Sequence, residues 1–205
     1  MPETITPQPV RRRMAPEDRR RALIETGFEL LGARHYQEIE IEDIAKMAGV
    51  STGLLYHYFP SKRDFYVTVV REASHTLLQR TKPDPKLPRR ARLEAVMSAY
   101  VDYLQEHPAG FAAVHRGAIG ADPEVRAIVE DYSRVQIGRL LKDLGLKPGE
   151  QPVLELVVRG WLAFVIETSL RWIDERQLTP DELRELFVDA ATALFRTALS
   201  RGSQR

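Results

Sequence analysis

The stretch from Ile41 to Lys62, IEDIAKMAGVSTGLLYHYFPSK, constrains this chain more than any other. Ile41, Ile44, Ala45 and Ala48 fall at i, i+3, i+4 and i+7, which puts them on one apolar face of a short helix. Gly49 ends that helix, because glycine takes the positive φ of a C′ position at little cost. Ser51 can cap a second helix, over about residues 52–58, by accepting a hydrogen bond from a free N–H of its first turn. Leu55 and Phe59 then turn inward, and Thr52, Gly53, Tyr56 and His57 are left facing out. Two short helices joined by a brief glycine-bearing turn form a helix-turn-helix, whose second helix can enter the DNA major groove.

The flanking sequence also reads as helix. Pro16 suits a first turn, Glu17 and Asp18 suit its positive end, and Leu23, Ile24, Gly27, Phe28 and Leu31 make an apolar stripe to about Arg34. After Pro60, Ser61-Lys62-Arg63-Asp64 has the capping-box pattern. It opens a helix through Phe65, Val69, Val70, Ala73 and Leu77 to about Arg80. KPDPKLP, residues 82–88, then breaks the chain before a larger region. Helices are expected there from about Arg89 to Glu106 and from Pro108 through Phe111, Val114 and Ile119. Three more run from Asp122-Pro123 to about Leu144, from Pro152 to Glu175, and from Thr179-Pro180 to about Ser200. No stretch alternates strictly, so no sheet is expected. Residues 1–14 are rich in Pro, Thr and Arg without periodicity and read as a disordered basic arm. Its Arg11, Arg12 and Arg13 either sit in solvent or touch DNA. The expected domains are that arm, a helix-turn-helix domain over 15–61, a linking helix over 62–81 and a second helical domain over 89–205.

Composition removes several function classes. A net charge of +1 gives no global basic field, so DNA binding has to rest on a local patch. The absence of cysteine excludes disulfides, thiolate metal sites and cysteine nucleophiles, and is compatible with a reducing cytoplasm. No apolar run follows the N-terminal arginines, so no signal peptide is expected. The most apolar stretch, Val153 to Ile173, carries Glu155, Arg159, Glu167 and Arg171, which argues against a membrane span. There is no HExxH, GxSxG or glycine-rich phosphate loop. His35, His57, His75, His107 and His115 lack metal-ligand spacing. No catalysis, cofactor or metal is expected.

Ile44-Ala45, Ala48-Gly49-Val50-Ser51, Gly53, Leu55-Tyr56-His57-Tyr58-Phe59, Ser61 and Lys62 resemble, without a gap, the DNA-binding domain of the TetR family of transcriptional regulators. The likeness runs from Arg19 to Phe65. It implies DNA-facing roles for Thr52, Gly53, Leu54, Tyr56, His57, Tyr58 and Lys62. Gly53 lets the backbone approach the groove, the Thr52 hydroxyl can reach a base edge or phosphate, and Leu54 can pack on a thymine methyl. Tyr56, His57 and Tyr58 can hydrogen-bond phosphates, and Lys62 sits at a helix N-terminus that already favours one. Two positions depart from the family pattern. His35 stands where a glycine usually ends the first helix, and Glu40 where a threonine usually caps the second. Glu40 and Glu42 suit the helix dipole but put negative charge where a DNA backbone should approach.

The helix from Pro152 to Glu175 is apolar nearly all round, so it must be buried on more than one side. The last helix has a broad apolar face too. A central helix in a monomer would satisfy this pattern. The resemblance points instead to a homodimer, because TetR-like proteins pair through their last two long helices. It implies an interface of Leu162, Val165, Ile166, Leu183, Phe187, Ala190, Ala191 and Leu194, and two readers on a palindromic double-stranded DNA site. The family also pairs its reader with a helical effector pocket. Candidate lining residues are the polar and aromatic ones on otherwise apolar helices: Tyr100, Tyr103, Phe111, His115, Tyr132, Gln136, Trp161, Phe164, Glu167, Thr168, Arg171 and Trp172. A cationic drug, an acyl chain or an aromatic metabolite fits such a set equally well. The expectation is an all-α, cytoplasmic, homodimeric DNA-binding repressor released by a small apolar or amphipathic effector. A regulator without an effector, and a small-molecule-binding protein that has borrowed the fold, are the alternatives.

Overall fold

A computed structural model describes residues 15–34, 36–147 and 149–202. The arginine arm and His35 lie outside the described residues. Among those described there are nine α-helices and no strand: α1 Pro16–Ala33, α2 Ile41–Met47, α3 Thr52–Tyr58, α4 Lys62–Arg80, α5 Arg89–Glu106, α6 Pro108–Arg116, α7 Pro123–Asp143, α8 Pro152–Glu175 and α9 Pro180–Gly202. None is long and apolar enough to cross a membrane.

Local chemistry explains the reader's short elements. Arg34, after α1, donates to the Asp43 carboxylate at 2.8 Å and to the Glu38 carbonyl at 2.8 Å. The same carboxylate accepts the Glu40 N–H at 3.2 Å. These bonds tie the start of α2 to the end of α1, and the Glu40 N–H and the Arg34 guanidinium hold Asp43 below the usual carboxylate range. Gly49 has φ +65° and lets Val50 N–H return to the Ala45 carbonyl at 2.9 Å. Ser51 Oγ accepts from Leu54 N–H at 3.2 Å and caps α3. Ser61 Oγ accepts from Asp64 N–H at 3.1 Å and caps α4.

Two apolar cores result. One gathers α1, α2, α3 and the first half of α4 around Leu23, Ile44, Leu55, Phe59 and Phe65. The other gathers α5 to α9 around Leu104, Trp161, Leu183 and Phe187, together with Leu77 near the end of α4. Helix α4 therefore belongs to both. The reader's core also takes Ile119 and Val125 from beyond the proline-rich break. Arg63 binds Asp122 at 2.6 Å and Glu124 at 3.2 Å, and Arg71 binds Glu124 at 2.7 Å, so α4 and α7 are pinned on the surface as well.

The structure corrects two sequence expectations here. Helix α6 ends at Arg116 and does not run through Ile119. A Cβ at Gly117 would lie 2.3 Å from the Ala113 carbonyl oxygen, and the chain turns there into a 3-10 segment, Ala118–Ala121. The second correction concerns the proposed interface. Leu183, Phe187, Ala191, Val165 and Leu162 are buried inside the single chain, because α9 lays that face on α5 and α8. They are unavailable to a partner. Of the remaining candidates, Ile166 and Ala190 are half-buried and Leu194 is 42% exposed. The exposed apolar side chains of these helices are Val153, Leu156 and Phe164 on α8 and Leu186, Leu194 and Leu199 on α9.

Leu55 is the buried anchor that holds α3 on its core. Leu55→Ala is expected to lower stability by about 2–5 kcal/mol, read by urea denaturation; a change below 0.5 kcal/mol, roughly the scale of exposed positions, would contradict this packing.

Candidate functional site

Helix α3 presents its outer face to solvent. Tyr56 is 48% exposed, Gly53 and His57 are exposed, and Thr52, Leu54 and Tyr58 are half-buried. A Cβ at Gly53 would meet nothing within 4 Å, so the backbone there is open to close approach. Tyr58 packs on the edge of the reader's core and meets the His57 ring edge-on at 5.5 Å. Lys62 stands at the start of α4, with Nζ 5.0 Å from the centre of the Tyr36 ring and 3.5 Å from the Gln37 carbonyl. Of the seven predicted DNA-facing residues, Gly53, Tyr56 and His57 are exposed on α3, Thr52, Leu54 and Tyr58 flank them half-buried, and Lys62 stands across the turn. Glu40 and Glu42 are exposed beside it. Asp43 is not free to repel phosphate in the same way, since Arg34 neutralises it.

Behind the reader lies a cavity of about 320 Å³, walled by α1 and by α4 to α9. Its size and apolar walls suit a small molecule held by a few polar groups. Of the candidate ligand residues, Tyr100, Tyr103, Phe111, His115, Tyr132, Gln136 and Trp161 line it. Phe164, Glu167, Thr168, Arg171 and Trp172 do not. Helix α8 turns Phe164, Glu167 and Arg171 outward, where Arg171 pairs with Glu167 at 3.6 Å and Glu175 at 3.8 Å. Thr168 is half-buried away from the cavity, and Trp172 is spent at the helix corner, where Nε1 donates to the Leu178 carbonyl at 2.7 Å. Sequence reasoning missed the walls supplied by Phe28 of α1, by Val70, Leu77 and Thr81 of α4 and its cap, and by Arg92 and Arg139. Each looked like an ordinary core or surface residue of its own helix.

The polar groups of the cavity are mostly satisfied. Gln136 Nε2 donates to Thr81 Oγ1 at 2.9 Å and to the Tyr132 hydroxyl at 3.1 Å. Arg139 donates to Gln136 Oε1 at 3.1 Å and to the Leu78 carbonyl at 2.8 Å. This chain of bonds ties the end of α4 to the middle of α7. Burial pushes the Tyr132 phenol up to about 12. Tyr100 shares a 3.0 Å hydrogen bond with Ser169, and burial raises its pKa far above the ordinary phenol value. His115 differs. Its ring lies tilted against that of Phe111 with centroids 4.5 Å apart, no hydrogen bond reaches its nitrogens among the described residues, and burial pushes its pKa down to about 4. It offers a neutral donor and acceptor to whatever fills the space.

This shift has a measurable sign. Above about pH 6.5 the His115 imidazole is neutral in both folded and unfolded chains. Between 6.5 and about 4 the unfolded chain binds a proton that the folded one refuses, so stability falls as pH falls. The loss amounts to up to roughly 3 kcal/mol. Buried or bonded carboxylates such as Asp43 and Asp122 add their own loss at lower pH, so the reading is the difference between wild type and His115→Asn. Urea denaturation at several pH values is expected to give the variant a flatter slope across this window. Parallel slopes would contradict the burial of this ring.

Residues 23–69 match the family of bacterial regulatory proteins of the tetR type, and residues 89–194 match the tetracyclin repressor-like C-terminal domain. A crystal structure of a tetR-family transcriptional regulator from Streptomyces coelicolor is 33% identical, with a TM-score of 0.77, over 91% of this chain and 90% of that one. The HTH-type transcriptional activator FasR of Mycolicibacterium smegmatis is 25% identical over 184 residues, 84% of this chain and 81% of its own. The transcriptional regulator FadR of Bacillus subtilis, solved in complex with stearoyl-CoA, shares the fold at 20% identity and a TM-score of 0.65, over 83% of this chain and 98% of that one. Both halves of the chain carry the family's match, and the motif residues lie on an exposed helix backed by a helical domain: the chain belongs to the TetR family of DNA-binding transcriptional regulators.

Proposed function

We propose that this protein is a homodimeric repressor that occupies a palindromic operator in the cytoplasm and leaves it when an amphipathic effector enters the cavity. The observation that carries this reading is the double membership of α4. The helix that holds Lys62 beside the reader also walls the cavity at Val70, Leu77 and the Thr81 cap. An occupant that reshapes the cavity acts on the reader's own support. By linkage, DNA weakens effector binding by the same factor as effector weakens DNA binding.

Two features support an effector with an apolar body and an anionic head. The walls are apolar over most of their extent, and the charged lining is four arginines, Arg89, Arg90, Arg92 and Arg139, against one carboxylate, Asp143. The related FadR binds stearoyl-CoA, a molecule of this kind. For dimerisation, the support is the apolar stripe left open on α8 and α9. Leu156, 69% exposed, and Leu194, 42% exposed, lie on the two helices whose buried faces already form the core. Such a stripe is suited to a second copy related by a two-fold axis. Repression follows where the operator overlaps a promoter; the same occupancy upstream of one would activate.

The test is selection of bound duplexes from a randomised DNA pool at moderate salt. An enriched inverted repeat is expected, with half-sites one helical turn or a multiple apart. Enrichment of single half-sites would remove the dimer, and no enrichment by protein freed of bound ligand would remove the DNA-reading role. On the enriched duplex, Tyr56→Ala is expected to lower affinity by roughly 1–3 kcal/mol, and its melting temperature should stay near wild type because the side chain is exposed. Lys62→Ala is expected to flatten the slope of log K against log salt by about 1 per protomer. An unchanged slope would take Lys62 off the phosphate.

A further inference from the structure

The cavity has two chemically different ends. At one, Arg92 pairs with Asp143 and donates to the Pro85 and Leu87 carbonyls at 3.1 and 2.8 Å, so the first turn of α5, the proline-rich loop and the end of α7 meet there. Arg89 and Arg90 line this end, and Arg89 makes no ion pair among the described residues. At the other end no cation lines the wall. Its floor is Phe28, which packs on His107 just past the end of α5, whereas Arg89, Arg90 and Arg92 stand in the first turn of that helix.

Phe28 is not part of the effector domain. It belongs to α1, the back of the reader. Among the described residues it is the one partly buried hydrophobic side chain packed against both apolar cores. It also fills the space over Gly110 of α6, where a Cβ would come within 2.6 Å of its ring, and it meets the His107 ring edge-on at 5.2 Å. It cannot retreat toward α6. A molecule pressing on it from the cavity therefore presses on α1.

Resting on the effector reading above, we propose that Phe28 is a chain-length sensor. An acyl effector lies with its anionic head at the arginine end and its tail toward Phe28. Tails that stop short fill the cavity without moving the reader; tails that reach Phe28 displace α1 against α4 and release DNA. Carbon–carbon single bonds are about 1.5 Å long and advance an extended chain by ~1.3 Å per carbon, so the threshold is the chain length at which the tail first touches Phe28. The sensing element is thus a side chain of the DNA-binding domain itself, distinct from the bonds that link α4 to α7.

The experiment titrates saturated acyl-coenzyme A thioesters and the matching free fatty acids, from six to eighteen carbons, into the full-length protein. Binding is read by calorimetry, and release by the anisotropy of the selected duplex. In wild type, affinity should rise about fourfold per methylene, the worth of a buried CH2, until the tail meets the floor. Release should begin only there. In Phe28→Ala the affinity plateau should move outward, so that a chain two carbons past the wild-type limit binds about sixteenfold more tightly. Chains of the wild-type threshold length should bind that variant without releasing DNA. Phe28→Leu, which keeps an apolar contact to α1, should shift the threshold less, and thermal melting identifies a variant that is unfolded. Release that simply tracks occupancy at every length, or a threshold unmoved in both folded variants, overturns the role of Phe28 while leaving the acyl reading intact. No binding of any acyl compound removes that reading and this inference together. Equal responses to thioesters and free acids identify a carboxylate or thioester end as sufficient; a response to thioesters alone assigns the arginines to the coenzyme phosphates.

Discussion

The rest of this structure depends on how closely α1 lies between α4 and α6. A side chain at Gly27 would meet the Phe65 ring at 2.4 Å, and one at Gly32 would meet Ala109 at 2.6 Å. On the opposite partner, Gly110 faces Phe28 at 2.6 Å. Three missing Cβ atoms leave room for the Phe65 and Phe28 rings and for the backbone of α6 at Gly32, and close-packed interiors transmit displacement instead of absorbing it. The reader is therefore clamped to the effector domain on two sides. Its orientation is a property of the whole chain, which is what a DNA-binding protein with a distant ligand cavity requires.

A second tie runs through polar groups. Thr81, Gln136, Tyr132 and Arg139 form a bonded chain in an otherwise apolar wall. Buried polar groups are costly unless satisfied, so this chain holds α4 and α7 in one arrangement and resists partial disruption. The surface pairs of Arg63 and Arg71 with Asp122 and Glu124 act on the same two helices nearer the reader. Those pairs are partly exposed and contribute modestly. Packing at the glycines and the buried amide chain carry most of the rigidity.

The helix-turn-helix was legible because its signals are local. Gly49 with its positive φ, the Ser51 and Ser61 caps and the inward pair Leu55 and Phe59 all act within a few residues of one another. Proline at the first helical position likewise marked α1, α6, α7 and α8. The cavity was legible in part. Tyr100, Tyr132 and Gln136 stood out as polar groups on apolar faces, and such groups need a reason to be buried. Arg171 and Glu167 carried the same signal for a different reason: they satisfy each other at the surface. Periodicity separates an apolar face from a polar one but does not say which neighbour covers it. That is why Phe187 and Leu183 resembled an interface and proved to be core.

The amino-acid sequence by itself determined the helices, their ends apart from that of α6, the exposed face of α3 and the family to which the motif belongs. These follow from backbone hydrogen bonds and caps spanning only a few residues. Only the tertiary structure decided that Phe28 of the reader floors the cavity, that Ile119 and Val125 enter the reader's core, and which stripe of α8 and α9 stays open. Each joins residues tens of positions apart, and their meeting is set by how closely helices can approach, a property that no single helix encodes.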